Sequence, residues 1–348
     1  MRKSFAIIAA LVLAALQTSA GAQTRRTNTA PAARTTPAAQ AANASAGLLA
    51  ALPASDAVVS IDVRRLLTEA MPRAYAGNAA ELARVNSEID KFKARTGLDA
   101  RQFERIAFGA TYGHKPSGAV SVDAVAIAQG SFNPGALVGA ARLASAGKYQ
   151  ETKHAGKTVY VFNVNDQVRL LGLFNVNVTD LAVAQLGADS IAVGKLSRVQ
   201  QALDAASTGR GRLSAEITAL ATRTPNAVVG FGGNVPQESL QNIELLNPEF
   251  SRSVASIRQF YGAVGTTDRG FLMQTVLRTL DSGSAKTLSD TVAGLKMFAP
   301  LAIARYPGGK GRALQGVVDS TRVSAQGNEV SVRLDLSESD LAGLIAAF

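Results

Sequence analysis

Pro53-Ala-Ser-Asp-Ala-Val-Val-Ser-Ile-Asp-Val-Arg-Arg-Leu-Leu67 reads as a turn, a strand and the start of a helix. Val59, Ile61 and Val63 alternate with Val58, Ser60 and Asp62, the period of a strand that rests one face on a core. Asp62 then stands where a helix over Val63–Met71 needs its N-cap. The stretch has an echo in Thr224-Pro-Asn-Ala-Val-Val-Gly-Phe-Gly-Gly-Asn-Val-Pro-Gln-Glu-Ser-Leu240. Each opens on a turn residue and Asp56 or Asn226, runs Ala-Val-Val into an apolar strand, and closes on a capping residue. The pair predicts two related halves, residues 47–210 and 211–348.

Outward from the first stretch, Asn78 and Glu81 form a capping-box pattern. Leu82, Val85, Ile89 and Phe92 then recur at helical spacing until Gly97, with Arg84–Glu88 as an i,i+4 pair on the outer side. Ile106–Tyr112 and Val120–Gln129 read as paired strands across the turn-like residues 113–118. Asn133 and Pro134 open a helix that Gly147 ends. Tyr149–Lys153 and Thr158–Asn163 form a hairpin over His154-Ala-Gly156, residues 164–180 lack clear boundaries, and Leu181–Leu186 pairs with Ser190–Val193. A helix follows over Ser197–Ala206.

The second half repeats the order. A strand covers Ala227–Phe231, and helices start at Asn234 and Asn247, the second with Phe250, Val254 and Ile257 inward. Gln259–Thr266 pairs with Gly270–Leu280, a helix spans Ser284–Phe298, Gly316–Ser324 pairs with Glu329–Leu336, and Ser337–Ala347 is a closing helix. Hairpin connections dominate, which predicts an α+β fold: mainly antiparallel sheet with helices packed on one face.

Both halves lie downstream of two segments of another kind. Arg2 and Lys3 precede an apolar run from Phe5 to Leu16, and Ala20-Gly21-Ala22 is a small-x-small cleavage site. The run is shorter than the roughly 20 residues a bilayer span needs, so a signal peptide over 1–22 is expected. Export places the chain in the periplasm or outside the cell. Residues 23–46, rich in Ala, Thr and Pro, have little to bury and read as a disordered linker.

The 348 residues include no Cys, which excludes disulfides, thiolate chemistry, Cys-held metals and lipid attachment at a lipobox. Hydrophobic residues make up 47% of the chain, enough for one or two real cores. Loss of Arg2 and Lys3 from 36 basic residues leaves 34 against 26 acidic, a charge of +8. That surplus is scattered in singles and pairs. With no Trp and aromatics at 5%, it lacks the stacking residues of a single-strand binder, so nucleic acid is not expected as a partner.

Reactive groups are few. His114 falls in a turn and His154 at a hairpin tip, neither with a ligand-spaced neighbour. No Gly-x-Ser-x-Gly elbow occurs. Gly230-Phe-Gly-Gly233 sits between strand and helix, but position 235 is Val where a dinucleotide loop needs its third Gly, so close backbone approach is the plainer reading. Asp62, Asp123 and Asp335 come singly, Asp62 as a cap. Asn43 and Asn177 head glycan sequons. Arg305, Lys310 and Arg312 are the anion-binding candidates, because Pro307-Gly-Gly-Lys-Gly-Arg312 could turn consecutive backbone N–H groups and two cations toward an anion. The competing reading is a plain connection. No catalytic residue, cofactor or metal is predicted.

Pro53–Ala57, Phe132–Pro134 and Ile191–Ala206 together give the chain a resemblance to exported bacterial proteins with a Pro-Ala-Asp-Ala-type opening strand. Those proteins also share a Phe-Asn/Asp-Pro helix start and an Ile-Ala-Val-Gly strand before an Ala-rich helix. The resemblance covers most of the exported chain and implies a fold without implying an activity. The expectation is a non-enzymatic binding or envelope-associated module, whose partner would be an envelope component or an anionic surface. The alternatives are a carrier of an apolar ligand such as a lipid and a hydrolase whose site assembles only in the fold.

Overall fold

A computed structural model describes residues 37–96, 99–114, 120–145, 148–170, 174–237, 240, 248–306 and 308–347. The expected signal peptide, the first part of the expected linker and the cap at Gly97 lie outside these residues.

The echo pairs with the stretch it echoes. Strand β1 (Ala57–Asp62) lies antiparallel to β8 (Val229–Asn234), with Val59 opposite Phe231 and Ile61 opposite Val229. On its other side β1 pairs with β2 (Phe103–His114), Val59 opposite Phe108. The remaining strands are β3 (Val120–Gly130), β4 (Tyr149–His154), β5 (Lys157–Leu170), β6 (Phe174–Gln185), β7 (Ser190–Gly194), β9 (Ile257–Thr267), β10 (Gly270–Thr279), β11 (Thr321–Gln326) and β12 (Glu329–Ser337). All twelve join one sheet in the order β11-β12-β10-β9-β8-β1-β2-β3-β7-β6-β5-β4, and all its pairings are antiparallel.

Among the described residues ten α-helical segments, and a 3-10 turn at Ala100–Gln102, accompany the sheet. The ten are α1 (Pro37–Ala50), α2 (Val63–Arg65, a π-turn over Leu66–Ala70, then Met71–Ala74), α3 (Ala79–Thr96), α4 (Pro134–Ala144), α5 (Leu196–Thr208), α6 (Ala215–Ala221), α7 (Pro248–Ala255), α8 (Ser282–Ile303), α9 (Gly309–Ser320) and α10 (Glu338–Ala347). Three of the predicted caps form. Asp62 accepts from the Arg65 N–H at 3.0 Å, Asn78 from Glu81 at 3.1 Å, and Asn133 from Gly135 and Ala136 at 2.9 and 3.2 Å. Arg84 also bonds Glu81 on its own turn, at 3.1 Å.

The α+β class is as expected, but helices cover both faces. On one face α2, α3 and α10 pack over Val59, Ile61, Phe231, Phe271 and Leu336, with α4 over the β3–β5 side and α7 and α8 over the β10–β12 side. On the other, α1, α5 and α6 cover Val58, Ala107, Ile127, Ala184 and Ala192. The second layer arises because Leu48, Leu49 and Leu52 are apolar at helical spacing and become fully or almost fully buried. Burial of such side chains is worth roughly 1.5–3 kcal/mol each. Helix α1 begins at Pro37, inside the segment 23–46 read as a linker. Because of the same second layer Ser60 and Asp62 are 4% and 5% exposed, although the alternation had placed them toward solvent.

Other boundaries moved as well. Residues 164–170 and 174–180 fall in the paired strands β5 and β6, with 171–173 outside the described residues. Helix α6, capped by Ser214 at 3.2 Å, was not foreseen. Helix α8 runs on to Ile303, and the strand expected from Gly316 begins only at Thr321, because α9 occupies Gly309–Ser320. Ile257 opens β9 instead of closing α7.

Candidate functional site

Two hollows stand out among the described residues. The first holds about 70 Å³ and lies between the sheet and the helices α2 and α10, walled by Leu66, Met71, Phe271, Met273, Leu341 and Ile345. Its shape follows from local chemistry. Pro72 has no N–H for the Thr68 carbonyl, and its ring would press on that carbonyl in a regular helix. The preceding turn widens, and the Met71 N–H reaches back to Leu66 in a π-turn. Gly265, also on the wall, contributes no side chain to fill the space.

Polar bonds pin the rim of this hollow. Arg65 holds Glu69 through Nε and Nη2 at 2.8 and 3.0 Å and reaches the Asn226 carbonyl at 2.5 Å. Thr266 donates its hydroxyl to Glu69 as well. The Arg65 bond, aided by Thr266 and opposed by burial, holds the Glu69 carboxyl below its ordinary range. Arg73 binds Glu338 at 2.7 Å and ties α2 to the first turn of α10. A reciprocal cap between Ser337 and Asp340 starts that helix.

The second hollow, of about 20 Å³, is polar and lies on the other face of β1, beside Ser60, Asp62, Thr222, Asn226 and Gly230. It has room for about one water. Asp62 already accepts its cap bond there and has Arg105 at 3.9 Å.

Asp62 and Gly230 border the second hollow, and the other candidate residues singled out in the sequence border neither. His154 Nε2 lies 2.8 Å from Asp204, a pairing that joins the β4–β5 hairpin to α5. Local spacing could not have shown a partner 50 residues away. His114 ends β2, and its side chain is outside the description. Asp123 binds Lys195 at 2.7 Å, and Asp335 binds Arg333 at 2.9 Å, which lowers the Asp335 pKa. The glycines of Gly230-Phe-Gly-Gly233 lie within β8 and admit α6 closely: a Cβ on Gly230 would sit 2.2 Å from the Ala221 carbonyl oxygen. The sequons fall within α1 and β6.

Arg305 lies just after α8, and Lys310 and Arg312 lie in the first turn of α9; all three are exposed. The expected loop is instead the first turn of α9. Gly311 is buried there because a Cβ would meet the Tyr306 carbonyl oxygen at 2.2 Å.

Sequence reasoning missed one cluster. Tyr261 lies under Arg223 and Arg278, at 4.7 and 5.9 Å from its ring centre, and donates its hydroxyl to Glu329 at 3.1 Å. Burial and then Glu329 push its pKa up to about 12, so at neutral pH it is a fixed hydrogen-bond donor. Its residues come from β9, β10, β12 and the bend after α6, and no local pattern announces them. Among the described residues no group of three His, Asp or Glu side chains is placed to hold a metal ion, and no helix is long and apolar enough to cross a membrane.

No protein family matches the chain, and no curated protein matches it in sequence. Solved structures of TP0453 are loosely similar. Crystal form I has a TM-score of 0.43 at 12% identity, covering 86% of this chain and 97% of that one. Form III gives 0.43 at 10% identity over 86% and 98%, and form IV gives 0.41 at 13% over 88% and 99%.

Proposed function

We propose that the protein is an exported, non-enzymatic module that binds an envelope component through its surface. One observation supports this above the others: the well-formed apolar hollow holds about 70 Å³, against the roughly 300–1,000 Å³ of ordinary ligand pockets. What the chain binds therefore meets its outside. The carboxylates and His154 that could serve chemistry are engaged in caps, cross-element pairs and hairpin ties. Native mass spectrometry of the protein purified from its own envelope tests the proposal. A co-purifying envelope macromolecule is expected, and a bare chain under conditions that preserve known envelope complexes would count against it.

The second reading is a carrier of an apolar ligand. It is favoured by a hollow whose wall includes a π-turn, a feature that recurs at functional sites. Displacement of α2 and α10 from the sheet would enlarge the space. In the same spectra a bound lipid mass would favour this reading over the first.

The two-halves reading is kept as a proposal. It draws on the order of elements outward from the β1–β8 pair, in which two hairpin strands, a helix, a returning strand and a closing helix appear on each side. An experimental structure in which residues 222–347 do not superpose on 51–206 in that order would remove it.

A further inference from the structure

Helix α8 is apolar on its inner side over its first half and on the opposite side at its C-terminal end. Its inner side carries Ala285, Leu288 and Val292 onto β10–β12. Lys296 continues that side and donates to the Thr321 carbonyl at 2.5 Å. The outer side changes character along the helix. Near the start it presents Lys286 paired with Asp290, an ordinary solvated face. About two turns further on it presents Met297, Phe298 and Leu301, which are 80%, 65% and 72% exposed. These three fall at i, i+1 and i+4, within one strip of the helix. Tyr306, half-exposed just beyond the helix end, extends the strip toward α9. Single exposed apolar residues are ordinary, but a contiguous group of this size marks a surface that meets something apolar.

The charge around the strip selects the partner. From Thr291 to Val318 the chain has Lys296, Arg305, Lys310 and Arg312 and no Asp or Glu. Arg305, Lys310 and Arg312 are exposed at the elbow that continues the apolar strip. In a two-fold self-association this basic group would face its own copy, and like charges would oppose the contact. An apolar strip edged by Arg, Lys and Tyr is the pattern of an element that lies in the boundary between headgroups and acyl chains.

We propose that the α8–α9 elbow docks on an anionic phospholipid surface, with Met297, Phe298 and Leu301 entering the acyl boundary and Arg305, Lys310 and Arg312 meeting the headgroup phosphates. This rests on the envelope-binding reading and names the partner surface within it.

Flotation of the full exported chain with vesicles tests the assignment. The chain is expected to float with phosphatidylcholine vesicles containing phosphatidylglycerol, and far less with phosphatidylcholine alone. The double variant Phe298→Ser/Leu301→Ser should lower the vesicle affinity at least roughly a hundredfold. Arg305→Gln/Arg312→Gln should lower it roughly thirtyfold and reduce its dependence on salt. Since all four side chains are exposed, circular dichroism should be unchanged in both variants. The assignment fails if the unaltered chain does not float with anionic vesicles, or if the apolar variant floats as well as it does. It also fails if sedimentation shows a dimer that Phe298→Ser/Leu301→Ser splits, because the strip would then be an interface between copies. Failure here alongside a non-lipid envelope partner in the native mass spectrum would remove the lipid assignment and leave the surface-binding proposal standing.

Discussion

Arg198 is 4% exposed, and its guanidinium donates to the Ala54 carbonyl at 2.9 Å, the Ser55 hydroxyl at 2.7 Å and Gln201 at 2.6 Å. Burial lowers its pKa, and the neighbouring Asp123 and Asp56 act against that. Asp56 itself accepts from the Tyr112 N–H at 2.9 Å. The turn ahead of β1 is thus held by a cation from α5, 143 residues away. Arg198→Ala leaves the Ala54 carbonyl without that donor and should lower stability by about 1–3 kcal/mol, read from the urea midpoint. Glu69 gives a second outcome at this scale. Its folded pKa is depressed, so its contribution is present above the ordinary glutamate pKa of about 4.3 and is lost as pH falls through the lower folded value. Unfolding midpoints measured across that acid window should fall for the unaltered chain and flatten in Glu69→Gln. The effect should stay under about 1 kcal/mol, since the carboxylate is 37% exposed and screened by solvent.

Among the elements, the β4–β5 hairpin turns on Ala155 and Gly156, both with positive φ, at 48° and 75°. A two-residue turn of this kind favours Asn-Gly, and Ala carries a steric cost there. Ala155→Asn should therefore raise stability by about 0.5–1 kcal/mol, seen as a higher melting temperature with no change in sheet content. Elements with a local signature were legible in advance: the Asp62, Asn78 and Asn133 caps, and hairpins with short polar turns. Helix α6 and the extent of α8 were not. Seven residues of Ala215–Ala221 carry too little periodicity to stand out, and the basic Gly-rich run after Tyr306 looks like a loop. It is helical from Gly309, and Gly311 lets the chain turn closely past the Tyr306 carbonyl, where a Cβ would sit 2.2 Å from the oxygen.

For the whole molecule, the hollow under α2 and α10 separates the two functional readings. An unfilled apolar space of about 70 Å³ costs roughly 1–2 kcal/mol. Ala74→Val, on its wall, should recover about 1 kcal/mol in urea unfolding if the space is a packing defect. The surface-binding proposal expects the variant to keep its envelope partner. A carrier would instead lose a bound apolar mass from its native spectrum. The anion candidates show the same dependence on scale. Arg305, Lys310 and Arg312 were visible as a basic run, but the exposure of Met297, Phe298 and Leu301 beside them was not. Which side of α8 faces solvent was settled only when Ala285, Leu288 and Val292 packed against the sheet.

The sequence by itself determined the α+β class, the Ala-Val-Val strand and its echo, most hairpins and the helix caps, because each depends on side-chain periodicity or on bonds within a few residues. Only the tertiary structure decided that the two strands are direct neighbours at the centre of one twelve-stranded sheet. It also decided that Ser60 and Asp62 are covered, that Arg198 holds the opening turn, and that Met297, Phe298 and Leu301 remain outside. The physical reason is that hydrophobic burial is non-directional: the pattern along the chain says what must leave water, and only packing between distant segments determines which surfaces do.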